Sequence, residues 1–115
     1  MPSSPPASAD SPVDLDHLTR MTCGERGLER EVLQLFLEQA SRLTAALDGL
    51  QTETGALSHT LKGSARAVGA FRVADSAAAL EEVARLGRDP SAELAAVHAA
   101  VAEARAAIQA LLRRS

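Results

Sequence analysis

The stretch around His59 combines an imidazole, an amine and a glycine at helical spacing. Lys62 follows His59 by three residues and Gly63 by four, so on a helix both project within about 60° of the imidazole. Leu61 and Val68 point nearly opposite, at about 200° and 180°. A histidine on a helix is ordinarily half-buried and hydrogen-bonded. A helix that buries this pair of apolar residues instead leaves His59 in water, where a neutral imidazole nitrogen can act as a nucleophile.

The neighbours of His59 suit a reaction that places negative charge on the imidazole. Gly63 costs about 1 kcal/mol in mid-helix relative to alanine, and its missing side chain clears space for a partner; a close helix crossing is the structural alternative. Lys62 is the only lysine among 12 basic residues, and its flexible ammonium could offset the charge of a phosphoryl group. A solvated surface lysine is the alternative. Arg66 adds positive potential or belongs to a solvated face.

Composition and charge exclude several classes of protein. The chain has 115 residues, enough for one domain, of which 46% are hydrophobic but only 2% aromatic. A core of leucine, valine and alanine favours helices over a sheet. The net charge of -3 and the lack of a basic run longer than Arg113-Arg114 argue against nucleic-acid binding. Cys23 is the only cysteine, which excludes an internal disulfide and fits a reducing compartment.

The composition of the first residues predicts a disordered N-terminal tail. Residues 1–12 are rich in proline and serine and lack the charged and apolar regions of a secretory signal, so we expect a disordered segment ahead of a domain over 13–115. Charges recur every few positions, so no apolar stretch approaches the roughly 20 residues needed to span a bilayer. We therefore expect a cytoplasmic protein with no membrane contact.

Apolar residues recur at helical spacing in five segments separated by glycine and proline. The pattern predicts a short helix in 13–18, a long amphipathic helix over 28–50, a third from Gly55 or Ala56 to about Ala70, a fourth stopped by Gly87, and a last one that Asp89 could cap. The stripes predicted to form the core are Val32, Leu35, Phe36, Leu43, Leu47 and Leu50; Leu57, Leu61, Ala65 and Val68; Val73, Ala77, Leu80 and Ala84; and Leu94, Val97, Val101, Ala104, Ile108 and Leu111. Short connections make consecutive helices antiparallel neighbours, so we expect an all-α, up-down four-helix bundle with a short extra N-terminal helix, and a monomer.

These residues resemble a known family. His59, Lys62 at +3, Gly63 at +4 and Gly69 at +10, followed by Leu80-Glu81, are similar to the signature of histidine-containing phosphotransfer (Hpt) domains of bacterial phosphorelays. The helical pattern around this motif covers about residues 13 to 113.

The resemblance implies a role for each matched position. His59 would accept the phosphoryl group, Lys62 would stabilise its charge, and Gly63 would admit a receiver domain. Glu81 falls where relatives often carry glutamate or glutamine, and it could accept a hydrogen bond from His59 Nδ1–H and leave Nε2 as the nucleophile; a surface ion pair is the alternative for Glu81.

The resemblance also implies partners: the receiver domains of response regulators and hybrid histidine kinases. The partner would supply Mg²⁺, since the sequence has no glycine-rich phosphate loop and no carboxylate cluster suited to the ion. The chain itself would need no cofactor. The docking surface would lie around His59. Small residues such as Ala70 would form a flat apolar area beside the imidazole, and the adjoining face of the 28–50 helix, with Gln39, would form a second side of the surface.

Three other interpretations remain open. A non-catalytic helical adaptor would share the bundle and bind receivers without phosphoryl chemistry. A metal-binding bundle would need His17 or His98 near His59, although both are distant in sequence and no Glu-x-x-His pair is present. The phosphorylatable domain of a chemotaxis-type kinase has a similar motif, but a chain that begins at Met1 with its own leader and ends just after its last helix favours a free-standing intermediate.

Overall fold

The computed structural model describes residues 11–49 and 51–114, and every regular element in that part of the chain is helical. In chain order the α-helices are α1 (Leu15–Met21), α2 (Arg26–Gly49), α3 (Thr54–Val68), α4 (Phe71–Arg85) and α5 (Ser91–Arg114). A short 3₁₀ turn, Gln51–Glu53, lies between α2 and α3. The all-α prediction is confirmed. The predicted tail, 1–12, falls mostly on residues 1–10, outside the described residues.

Helix α1 begins later than its sequence pattern predicted because Asp14 occupies the N-cap position. The Asp14 carboxylate accepts a hydrogen bond from the backbone N–H of His17 at 3.1 Å, an arrangement that stabilises a helix start. Val13, which directly precedes the N-cap residue, is buried in the core. The backbone N–H of Asp14 also donates to Gly69 O at 2.8 Å, which fastens α1 to the end of α3.

The core lies between α2, α3, α4 and α5, and its largest fully buried aliphatic side chains include Leu61, Leu80 and Ile108. Helix α3 packs on α2 and α4, and α5 packs on α4 and returns to α2, so each of these four helices has two neighbours among the other three. The predicted stripe residues that are buried are Phe36, Leu47, Leu61, Ala65, Val68, Val73, Ala77, Leu80, Val97, Val101, Ala104 and Ile108. Partly buried are Val32, Leu43, Leu57, Ala84, Leu94 and Leu111, and Leu50 lies outside the described residues.

One predicted core residue lies on the outside. Leu35 was assigned to the stripe of α2, and that prediction is wrong because the residue is 58% exposed. On a helix Leu35 projects about 100° from Phe36, whereas the buried Leu33 and Ala40 project within about 60° of it. Leu33 therefore takes the core position, and Leu35 is left on a flank of α2.

Helix α3 ends at Val68 because Gly69 adopts the left-handed conformation (φ 84°, ψ 15°) as its C-cap. The N–H of Ala70 then turns back to donate to Ala65 O at 2.8 Å, which satisfies a carbonyl at the end of the helix. Ala70 no longer follows the helical phase of His59 and is fully buried. The prediction that Ala70 forms part of an exposed apolar surround is wrong.

We expect Gly69→Ala to lower the free energy of unfolding by about 1–3 kcal/mol. A Cβ at this position would lie 2.9 Å from Asp14 O, and the positive φ is unfavourable for alanine. Urea unfolding followed by circular dichroism measures the loss. Gly87→Ala is the matched control, because its φ is 69° but no heavy atom lies within 4 Å of an added Cβ. An equal loss in both variants would show that the contact with Asp14 contributes nothing.

The connection between α4 and α5 contains the predicted helix stop at Gly87 and the predicted start of a new helix after Asp89. Gly87 has a φ of 69°, and α5 begins at Ser91. The Asp89 carboxylate accepts hydrogen bonds from the backbone N–H of Ser91 at 3.0 Å and from its hydroxyl at 2.6 Å. These two bonds hold the pKa of Asp89 below its usual value, and the bond from the Ser91 hydroxyl has the larger effect. Asp89 thus bonds the first backbone N–H of α5, as predicted, but from one residue before the N-cap position.

Helix α5 is the one described helix that is long and apolar enough, by length and composition, to cross a membrane. Its inner side chains, such as Val97 and Ile108, are buried in the core, and alanines, which favour helix formation, occupy much of its outer face. Polar contacts also join α5 to its neighbours: Glu103 pairs with Arg72 of α4, and Arg105 donates to the Ser41 hydroxyl of α2. The prediction that charges interrupt every apolar stretch of such length is therefore wrong for α5, in which five side chains are buried and outward-facing alanines add to the hydropathy.

Candidate functional site

His59 projects from α3 into solvent, as its helical phase predicted. Its side chain is 68% exposed, whereas Leu61 and Val68 on the opposite face are buried. The preceding residue, Ser58, is also buried, and its hydroxyl donates to Thr54 O one turn earlier at 2.6 Å. The inward face of α3 is thus fully packed and satisfied, and it fixes the direction in which His59 points.

The next helix supplies a carboxylate to the imidazole. His59 Nδ1 lies 2.9 Å from Glu81 Oε2, and Glu81 is held at the surface of α4 by the fully buried Leu80 beside it. The bond from His59 to Glu81, inferred from the family resemblance, is therefore present. Glu81 is not merely one partner of a surface ion pair, because a ring nitrogen shares it.

Lys62 contacts the same carboxylate from the other side. Its Nζ lies 2.6 Å from Glu81 Oε1, and its side chain is only 19% exposed, so the alternative of a solvated surface lysine is wrong. The hydrogen bond from Lys62, and after it that from His59, holds the pKa of the Glu81 carboxyl below its usual value despite some desolvation. Glu81 therefore stays ionised at neutral pH and keeps its hydrogen bonds as the pH falls, until the pH passes through that lowered pKa.

The bridge of Lys62, Glu81 and His59 determines which ring nitrogen can react. An ionised carboxylate only accepts hydrogen bonds, so His59 Nδ1 carries the proton and donates it to Glu81. The lone pair of a neutral imidazole then lies on Nε2, and within the described part of the chain no group forms a hydrogen bond to Nε2. The arrangement presents Nε2 as an unblocked nucleophile on an exposed side chain.

Open space surrounds Gly63, one turn beyond His59. A Cβ added at Gly63 would meet no heavy atom within 4 Å, and the residue is exposed. The alternative of a close helix crossing at this position is therefore wrong. Nothing in the packing of the described chain requires a glycine here, although glycine costs about 1 kcal/mol in helix propensity relative to alanine, and the open position leaves room beside the imidazole.

The other predicted site residues lie farther from the imidazole. Arg66 is exposed on α3 near the phase of His59, and Gln39 is half-buried on α2; neither forms a hydrogen bond with His59. His17 lies 3.2 Å from Ala67 O, and His98 pairs with Asp48. Across the described ranges no three histidine, cysteine, aspartate or glutamate side chains are grouped closely enough to bind a metal ion.

Sequence reasoning missed that Lys62 and His59 share one carboxylate. The spacing placed Lys62 and Glu81 separately near the imidazole, on different helices, and no pattern states the distance between two helices. One signal was present: Lys62 projects to one side of His59, and a carboxylate that reaches Nδ1 from that side must also come near the ammonium.

We expect Glu81→Ala to slow any reaction at Nε2 by about tenfold, because a hydrogen bond to a charged group is lost and the ring is no longer held in one tautomer. Long-range ¹H–¹⁵N spectra should change from Nδ1-protonated to a mixture of tautomers. Glu81→Gln should retain most of the rate, since its amide oxygen can still accept. Glu82→Ala is the matched control, because the neighbouring Glu82 pairs with Arg85 instead of His59 or Lys62. An unchanged tautomer in Glu81→Ala would contradict the assignment.

Comparison with known proteins agrees with this geometry. A family model of the Hpt domain matches residues 31–114, which include all of α3, α4 and α5. No curated protein and no solved structure matches the chain. The match covers well over half of the sequence, and it leaves α1 and the first five residues of α2 outside. The chain therefore belongs to the Hpt domain family.

Proposed function

We propose that this chain carries a phosphoryl group on His59, accepting it from an aspartyl phosphate of a receiver domain or hybrid histidine kinase and passing it to a response regulator. Hpt domains are phosphotransfer carriers without kinase activity of their own, and they interact with receiver domains in phosphorelays. The observation that carries the proposal is His59 itself: Nδ1 is held by Glu81, while Nε2 is exposed beside the open position at Gly63.

In the proposed step, Nε2 attacks the phosphorus of the aspartyl phosphate in line with the departing carboxylate oxygen. The N–P bond forms as the O–P bond breaks, and the aspartate leaves as a carboxylate. Nδ1 keeps its proton because Glu81 accepts the hydrogen bond, so the positive charge that develops on the ring lies next to a carboxylate. Transfer onward reverses these changes with a second receiver.

Most of the charge stabilisation would come from the partner. We propose that the receiver supplies Mg²⁺ to the phosphoryl oxygens and that this chain needs no cofactor of its own. Lys62, held 2.6 Å from Glu81, keeps that carboxylate ionised and adds positive potential one turn from His59. Because the transition state is loose, positioning and charge neutralisation account for most of the catalysis.

The scaffold for this chemistry would be an antiparallel up-down bundle of α2 to α5, with α1 as an extra helix. Three side-chain contacts between α2 and α5 support the arrangement, since the partner residues on α5 come earlier in the chain as the residues on α2 come later. Arg30 Nη1 donates to Leu112 O, Arg105 to the Ser41 hydroxyl, and His98 pairs with Asp48.

We propose that the receiver docks across the flank of α2 that faces α3. Arg30 lies on the flank that faces α5, and Leu35 and Gln39 project about 140° and 180° away from it. Lys62 faces α4 through Glu81, so the opposite side of His59 turns toward this flank of α2. Leu35, which is exposed, would give this surface an apolar centre, and Arg66 would extend it with positive charge.

We expect Leu35→Asp to raise the KM for a phosphorylated receiver about tenfold while kcat stays within about twofold, because one apolar interface contact is lost and His59 is untouched. The measurement is the initial rate of phosphotransfer against receiver concentration. Met21→Asp is the matched control, since Met21 is 51% exposed but lies at the end of α1. Equal effects of the two substitutions, or none at Leu35, would contradict this docking surface.

A further inference from the structure

A groove lies at the end of the molecule where α1 crosses the start of α2 and the end of α5. Its apolar floor consists of Leu15, Leu18, Leu33, Leu111 and Leu112, and its volume is about 210 Å³. A second hollow of about 180 Å³ adjoins it along α5 and shares Leu15 and Leu111. Each hollow is smaller than the roughly 300 Å³ of typical small-molecule sites, so the pair suits separate side chains of a peptide better than one compact ligand.

Arginines surround this floor. Arg26, Arg30 and Arg114 line the groove against a single acidic residue, Glu29, whereas the whole chain carries a net charge of -3. Arg30 donates a hydrogen bond to Leu112 O at 2.9 Å and so satisfies a carbonyl in the last turn of α5. Glu29 accepts a hydrogen bond from the Thr22 hydroxyl at 3.3 Å. The remaining two arginines form no ion pair with any residue that the structure describes, so their charge is available to an acidic partner.

The groove is separate from the phosphoryl site. Glu81, the partner of His59, lines a different groove together with Leu47, near the far end of α2. Helix α2 has 24 residues and is therefore about 36 Å long. The family match begins at residue 31, so α1 and the part of α2 that carries Arg26 and Arg30 lie outside the matched region. A ligand at this end would leave the face around His59 open.

We propose that this groove binds an acidic peptide segment of a partner protein, with two aliphatic side chains in the hollows and carboxylates on Arg26 and Arg114. The floor provides the burial that anchors such a segment, and the arginines select its charge and orientation. A partner held here would raise the effective concentration of any receiver attached to it, without competing for His59.

The probe is a short fluorescein-labelled peptide in which glutamates surround two leucines at helical spacing, added to the full chain. We expect saturable binding by fluorescence anisotropy, with ¹H–¹⁵N shift changes confined to Leu15, Leu33 and the end of α5. A combined Arg26→Glu and Arg114→Glu variant should bind about tenfold more weakly. Arg88→Glu, an exposed charge reversal between α4 and α5, should bind normally.

Peptides with lysines in place of the glutamates, or serines in place of the leucines, should not bind. The proposal is overturned if the acidic peptide does not bind, if its shift changes surround His59, if Arg88→Glu weakens it equally, or if anionic phospholipid vesicles bind the groove and the peptide does not. The double variant should accept phosphate from an isolated phosphorylated receiver at the wild-type rate, so failure of the groove proposal and failure of the phosphotransfer proposal give different results.

Discussion

His59→Gln is expected to acquire no phosphate from any phosphorylated receiver that labels the wild-type chain. Glutamine occupies similar space, but its side-chain amide has no nucleophilic nitrogen lone pair equivalent to Nε2. Because the His59 side chain is largely exposed and, among the described residues, hydrogen-bonded only to Glu81, the substitution should leave the fold intact. The measurement is transfer of ³²P from a labelled receiver, with thermal unfolding as the check on folding.

The other two histidines provide matched controls for this loss. His17→Gln and His98→Gln remove imidazoles that contact Ala67 O and Asp48, and neither lies in the bridge formed by Lys62 and Glu81. Both variants should accept phosphate at the wild-type rate. Residual labelling of His59→Gln, or its loss in a control that is still folded, would show that another side chain takes part.

Gly63→Gln is expected to slow phosphotransfer by about a hundredfold, because a long side chain one turn from His59 displaces the incoming receiver by about 1 Å or more. The same substitution should stabilise the helix by up to about 1 kcal/mol, since glycine has the poorer helix propensity. Nothing in the described chain opposes this gain, as a Cβ there meets no atom within 4 Å. Rate and stability should therefore change in opposite directions.

Gly63→Ala separates the two effects. A methyl group restores helix propensity with little reach beyond the helix surface, so this variant should be as stable as Gly63→Gln but transfer phosphate within about threefold of the wild-type rate. The measurements are urea unfolding and single-turnover transfer. A Gly63→Gln variant that transfers normally would mean that Gly63 gives no access to the imidazole.

The sequence predicted the site best where one helix settles the geometry. The exposure of His59 follows from the burial of Leu61 and Val68 on the same helix, and the phase of Lys62 and Gly63 needs no knowledge of other elements. The fold class followed from the same apolar stripes. These predictions hold because helical periodicity is a local property of the chain.

The errors lie where a helix ends or where two residues compete for one packing position. Ala70 was predicted to lie on the same helical face as His59, but α3 ends at Gly69 and Ala70 is buried. The sequence pattern does not determine which of several residues forms the cap. Leu35 and Leu33 are equally apolar, and only the packing of α2 against its neighbours decided which of them is buried. The bridge through Glu81 depended on the separation of α3 and α4, which no sequence pattern contains.

The bridge of Lys62, Glu81 and His59 gives the chain a nucleophile but little else. It fixes a tautomer, holds one carboxylate ionised and leaves Nε2 open, all without help from a partner. The activated phosphate and the metal ion of the proposed reaction would come with the receiver. We therefore expect the isolated chain to have no reaction with ATP, and its rate to depend on which receiver it meets.

The most direct test of the central claim is to incubate the wild-type chain with a panel of phosphorylated receiver domains and to locate any phosphate that it acquires. We predict an acid-labile, base-stable phosphate on His59, with ³¹P–¹⁵N coupling that assigns it to Nε2. Receivers that bind the chain but never transfer phosphate to it would indicate a non-catalytic adaptor. That result, or a phosphate on any atom other than Nε2 of His59, would contradict the account.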